Sequence, residues 1–312
     1  MGEYSKAAII KYARKNLGLT QEELAENICD PVTLSRYETG ELNPSNDKFV
    51  HLMQKMGERE ELFSLPIECE TSNVQKTMDE LLFAIEQRDW ESSAKLLEIL
   101  KTNHKMSMEY AENVQYITRI EVIMKYAENK ISPESAIEQL TSIFQLTFPN
   151  CLPEKFPVRR ILRESEMLIL FNIAVFYGET GKIEEALAIY DRFVEYFGRT
   201  DMVNDCKPRY LISLGHSNLL GNIGRYNESI NVCLCEIGWL LKNNRANYLY
   251  NFYYNIGWNI KKKVEDNLED TCELEKAKIY FWIAYQLCQL YPENTNNLKK
   301  IEKALEEMNF FM

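Results

Sequence analysis

The sequence predicts an all-α protein: a small N-terminal set of capped helices followed by a long run of helical hairpins. Three observations carry this. Glycine and proline are scarce, 12 and 9 in 312 residues, and long stretches run without either. Near the N-terminus, apolar residues recur at helical spacing between residues that start and stop helices. Beyond residue 74 a small residue recurs at Ala94, Ala136, Ala186, Ser229 and Ala277, each in a helical pattern preceded by a turn. A hydrophobic fraction of 46% and a charged fraction of 27% are those of a globular chain, and the length favours two domains.

The most informative stretch is residues 19 to 40. Thr20 and Glu23 have the spacing of a capping box, and Leu24, Ala25 and Ile28 give the helix that follows an apolar face. Asp30-Pro31 starts a second helix, an N-cap residue followed by proline at the first helical position. Leu34 and Tyr37 point inward, Val32, Thr33, Ser35 and Arg36 point outward, and Gly40 ends the helix. A short scaffold helix followed by one with a small, polar N-terminal face suits a reader of the DNA major groove. Asn43-Pro44-Ser45 begins another helix, with Phe49, Leu52, Met53 and Met56 inward and Gly57 at its end. A short connecting helix and a polar linker are expected over 58–73.

The segments Gly18 to Ala25 and Leu34 to Gly40 resemble the repressor-type helix-turn-helix of the Rgg/PlcR-type (RRNPP) peptide-responsive transcriptional regulators. Cys29 stands where a turn glycine is usual, and the turn is one residue shorter than in phage repressors; both features are shared with that group. The resemblance implies that Arg14 pairs with Glu38 and that Gln21 anchors on the DNA backbone. The expected DNA-contact set is Gln21, Val32, Thr33, Ser35, Arg36, Asn43 and Lys48.

Charge qualifies this reading. The net charge is −11; residues 1–57 carry only −1 of it and the remainder −10. A near-neutral head gains little from phosphate attraction, so two heads are expected to act together, in a homodimer, on double-stranded DNA. The eight cysteines lie mostly in helical patterns, Cys233 and Cys235 on different helical faces, and no CxxC pair accompanies a histidine cluster. Neither a metal nor a cofactor is expected. With no secretory run and no apolar segment of membrane-spanning length, reduced thiols in a cytoplasm are expected.

The remaining residues read as five degenerate helical hairpins and a terminal helix from Asn296 to Asn309, with internal spacings resembling tetratricopeptide repeats. Such hairpins stack into a superhelix with a concave surface. The expected domains are 1–65 for the helix-turn-helix, 66–73 for the linker and 74–312 for the repeats. Asn172 and Asn255 share a register, two residues before Ala174 and Gly257, and Asn218 lies close to the equivalent place between them. An asparagine amide both donates and accepts, so such a row can clamp the backbone of an extended peptide. In the resembled class concave-face asparagines do this; the other reading is three exposed helical asparagines. Arg159, Arg160 and Arg163 either meet a peptide carboxylate or form a solvated face; Arg159 and Arg163 complete the expected peptide-binding set.

A phosphate loop, GxSxG, HExxH and a metal-spaced carboxylate set are all missing from the sequence, which disfavours an enzyme. The expectation is a peptide-responsive transcriptional regulator of a Gram-positive-type bacterium, active in quorum sensing. The alternatives are the same build sensing a protein partner, a phage lysis–lysogeny switch, or a non-catalytic interaction scaffold.

Overall fold

The computed structural model describes residues 6–57, 72–86, 88–102, 108, 111–199, 207–291 and 295–308, and their regular structure is α-helix with short 3-10 turns. Two compact units emerge, residues 1–209 and 210–312. The first begins with α1 (Lys6–Asn16), α2 (Gln21–Ala25), α3 (Pro31–Thr39) and α4 (Asn46–Lys55). It continues with three hairpins: α5 (Ser72–Glu86) with α6 (Trp90–Thr102), α7 (Ala111–Ala127) with α8 (Pro133–Phe144), and α9 (Glu164–Glu179) with α10 (Ile183–Arg199). The second unit holds nearly all of α11 (Lys207–Asn222), then α12 (Tyr226–Lys242), α13 (Leu249–Glu265), α14 (Leu274–Gln289) and a closing α15 (Thr295–Glu307). These are the five hairpins and terminal helix expected from the sequence. The expected connecting helix and most of the 66–73 linker lie outside the described residues; α5 begins inside that range, at Ser72.

The head forms because its helices are capped locally and share one core. Thr20 Oγ1 accepts from the Glu23 amide at 3.1 Å, and Glu23 Oε2 accepts from the Thr20 amide at 2.7 Å. Asp30 caps α3, and Gly40 ends it in the left-handed conformation at φ 78°. The turn between α2 and α3 needs a left-handed residue, and Asn27 supplies it at φ 65°, with the Ile28 amide bonded to Ala25 O at 2.9 Å. The left-handed residue of that turn is therefore Asn27, and Cys29 needs no glycine. Ile10, Ala13, Leu24, Leu34, Tyr37, Leu52 and Met53 form the head's core, joined by Ile161 from the segment before α9. Asn16 Nδ2 reaches Arg159 O in the same segment at 3.3 Å.

A single closure recurs through the repeats. At the ends of α5, α7, α9, α11, α12 and α13 one residue turns left-handed: Arg88, Asn129, Gly181, Gly224, Asn244 and Asn267. The amide after it then bonds back across the last turn, as from Lys182 to Tyr177 O at 2.8 Å and from Leu268 to Lys263 O at 2.8 Å. Ala136, Ala186, Ser229 and Ala277 are fully buried on the second helices of their hairpins. In the first hairpin the expected position shifts by one. Ala94 is exposed, and the fully buried residue is Ser93, which shares a helix face with Trp90, Leu97 and Leu100.

Within each unit, polar rungs link the first helices of two successive hairpins. Between α7 and α9 the rungs are Glu112–Arg163, Gln115–Ser165, Arg119–Asn172 and Tyr126–Glu179. Between α11 and α13, within the second unit, Asn255 bonds to Asn218 and to Ser217, and Tyr226, at the start of α12, bonds to Asp266 at the end of α13. At the α13–α14 contact, a Cβ on Gly257 would lie 3.0 Å from Phe281 Cδ1 and 3.1 Å from Ala277 O. Gly238, inside α12, has open space around it. Gly257→Val should therefore destabilise by about 2 kcal/mol or more through overpacking, whereas Gly238→Ala should stabilise by about 0.5–1 kcal/mol through backbone entropy. Urea unfolding of the two variants checks both signs.

Candidate functional site

The candidate recognition face is built from α3 outward. Asp30 Oδ1 accepts from the Thr33 amide at 2.9 Å, and Asp30 Oδ2 accepts from the Thr33 hydroxyl at 2.5 Å. Those bonds hold the Asp30 carboxyl below the usual carboxylate range. Thr33 is thereby fixed in place, its hydroxyl proton given to Asp30 and its oxygen still able to accept. Val32 is 64% exposed, Arg36 is exposed and Ser35 is half-buried, so the four residues occupy the outer side of α3. Asn43 and Lys48 are also exposed, Lys48 in the first turn of α4. Lys55 Nζ donates to Glu26 O at 2.8 Å and ties α4 to the turn before α3.

Behind this face lies a shielded ion pair. Arg14 Nε and Nη2 donate to the two Glu38 oxygens at 2.5 and 2.8 Å, and Arg14 Nη1 donates to Leu19 O at 2.7 Å. The expected Arg14–Glu38 pair is thus present. Gln21 joins it: its Nε2 donates to Glu38 Oε2 at 2.8 Å. One Nε2 hydrogen of Gln21 is thereby held by the buried carboxylate, and its second N–H and its Oε1 stay available to a partner outside the head. Burial pushes the Glu38 carboxyl up, but the hydrogen bonds from Arg14 and Gln21 and the Arg14 charge more than offset it, leaving its pKa below the ordinary value. A depressed folded pKa gives stability that is complete above the unfolded value and lost as pH falls through the folded one. Glu38→Gln should cost about 1–3 kcal/mol of head stability at neutral pH, and the gap from wild type should close below about pH 4. Melting curves at several pH values check this.

In the repeats, the expected peptide-binding residues are placed unequally. Asn172, on α9, is partly exposed, and its Oδ1 accepts from Arg119 Nη1 at 3.3 Å. Asn218, on α11, is exposed, and its Oδ1 accepts from Asn255 Nδ2 at 2.7 Å. Asn255 is only 7% exposed and also donates to Ser217 Oγ at 3.2 Å. Its expected place beside Asn172 and Asn218 is therefore corrected: Asn255 is the buried prop behind Asn218. It belongs to a polar network in the second unit, where Asn259 donates to Ser229 Oγ at 2.9 Å and Ser217 Oγ lies 3.0 Å from Cys233 Sγ.

Arg163 is corrected as well. Its guanidinium is buried and pairs with Glu112 at 2.5 Å, while its amide donates to Glu166 Oε2 at 2.8 Å, so it braces α7 against α9. Burial raises the Glu112 carboxyl to about 7 despite the Arg163 charge. Arg159 is exposed, on the segment whose backbone meets the head. Sequence reasoning passed over Arg119, Ser217 and Asn259, since single polar residues within apolar helices have no spacing signature. Among the described residues the six cysteines are free, and no group of His, Cys, Asp and Glu could hold a metal ion. No helix among them is long and apolar enough to cross a membrane.

Comparison with known proteins adds three findings. A helix-turn-helix family model (HTH_3) matches residues 10–63. Compared by sequence with curated proteins, the chain has no match. By structure, it is similar to Bacillus thuringiensis PlcR in complex with the peptide PapR7 and DNA, with a TM-score of 0.60, 18% identity, and 95% of this chain and 98% of that one covered. The apo form of the same protein matches with a TM-score of 0.55 at 15% identity, covering 94% and 98% of the two chains. ComR from S. thermophilus, in complex with DNA and its signalling peptide ComS, matches with a TM-score of 0.53 at 15% identity, covering 96% and 98%. The chain therefore carries a helix-turn-helix domain of the DNA-binding type, matched over residues 10–63, and has the fold of PlcR and ComR over nearly its whole length.

Proposed function

We propose that this chain is a homodimeric, cytoplasmic regulator whose repeats bind a short signalling peptide, and that the peptide changes how two helix-turn-helix heads engage one operator. The observation that carries this is likeness over nearly the whole chain, head and repeats together, to proteins solved with both a peptide and DNA. Asn172 and Asn218 are the proposed backbone clamps. Each presents an amide to solvent and is held from behind by a buried side chain, Arg119 or Asn255. Domains at 1–65 and 74–312, joined by a linker at 66–73, fit this division of labour.

Val32, Thr33, Ser35 and Arg36 are the proposed base-reading residues, with Asn43 and Lys48 on the flanking backbone. Arg36 is the long donor of the set, suited to a guanine edge. Arg36→Ala should cost about 1–3 kcal/mol and relax preference at one position per half-site. In vitro selection of binding sites checks it; unchanged affinity and unchanged base preference would remove Arg36 from the interface.

Calorimetry of the full chain with synthetic peptides, with and without selected operator DNA, tests the peptide reading. Asn218→Ala should weaken peptide binding by about 1–3 kcal/mol with melting unchanged, whereas Asn255→Ala should also lower the melting temperature, because it strips a buried network. Normal peptide binding by Asn172→Ala and Asn218→Ala would place the ligand elsewhere.

A further inference from the structure

Arg14 and Arg163 are shielded arginines, and each is matched by a glutamate, Glu38 and Glu112. Arg119 is not. It sits on α7 with 4% of its surface exposed, and among the described residues its one hydrogen bond runs from Nη1 to Asn172 Oδ1 at 3.3 Å. Its Nε and Nη2 are buried and have no hydrogen-bond partner among the described residues. Glu164 acts on it through space without a bond to it. An arginine does not escape burial by losing its proton, so an unmatched guanidinium here is a standing electrostatic cost.

The two unpartnered nitrogens share one edge of the planar guanidinium, from which parallel N–H bonds grip a carboxylate. Tyr116, one turn earlier on the same helix and within electrostatic reach of Arg119, has a buried hydroxyl that also lacks a partner among the described residues. Asn172, bonded to Arg119, is partly exposed, so the cluster meets solvent beside it. We propose that the Nε/Nη2 edge of Arg119, with the Tyr116 hydroxyl and the Asn172 amide, receives one carboxylate of the peptide ligand. This rests on the peptide reading above. The carboxylate comes from the ligand's C-terminus or from an aspartate or glutamate side chain.

The test uses the full chain and a degenerate library of short synthetic peptides in three preparations: free-acid, C-terminally amidated, and amidated with Asp and Glu omitted. Affinity selection should retain peptides from the first at least about tenfold better than from the third, the scale of a lost charge-assisted pair. Loss on amidation alone identifies the C-terminal carboxylate; retention with enrichment of Asp or Glu identifies a side chain. Arg119→Met should abolish the preference for acid while melting no lower than wild type, because it removes an unmatched buried charge. Equal retention of the first and third preparations by the wild type would overturn the carboxylate site and leave the peptide reading standing. Retention from none of the three would overturn the peptide reading and this site with it. An Arg119→Met protein that keeps the acid preference would overturn the assignment to Arg119.

Discussion

The repeats depend on close approach of helices at small residues. Where Ser93, Ala136, Ala186, Ser229 and Ala277 are buried, no long side chain holds the helices apart. Around Gly257 the clearance is so small that even a Cβ would press on the Phe281 ring and on the Ala277 carbonyl. Close contact brings polar side chains on the first helices within hydrogen-bonding range, so rungs such as Arg119–Asn172 and Asn255–Asn218 follow from it. Small residues in the core and asparagines near the surface are two consequences of one geometry.

The head uses a different device. Its helices are short, α2 only five residues, and such helices are marginal alone. Caps, a shared apolar core and the Arg14–Glu38–Gln21 cluster hold them in register. The polar face of α3 is thus carried on a rigid support, which suits readout of base edges better than a mobile loop would. With almost no net charge to draw it onto DNA, such a head depends on the geometry of its few contacts.

Buried polar groups differ in how far they are matched, and Arg163 Nη2 and Asn259 Oδ1 are left over even in well-bonded clusters. Arg163 with Glu112, and Ser217, Ser229, Asn255 and Asn259 among themselves, bind helix to helix. Such groups specify one packing arrangement, and exchanging any of them strands its partner. Arg119 has a donor edge to spare, and a cation left unmatched in the protein is free to recognise an anion from outside it.

Local order was legible in the sequence because it arises from neighbours along the chain. The caps at Thr20 and Asp30, the stop at Gly40, the hairpin turns at Gly181 and Gly224 and the all-helical class depend on residues a few positions apart. The Arg14–Glu38 pair was legible through family likeness. Tertiary packing alone decided the rest. Ser93 in place of Ala94 is a rotation of one residue about a helix, below what a small-residue period resolves. Asn27 took the left-handed turn position that the sequence led one to seek at Cys29. Whether Arg163 faced a ligand or Glu112, and whether Asn255 was a clamp or a prop, turned on partners 51 and 37 residues away. Spacing along one helix shows which side chains share a face; only the packed structure shows what that face meets.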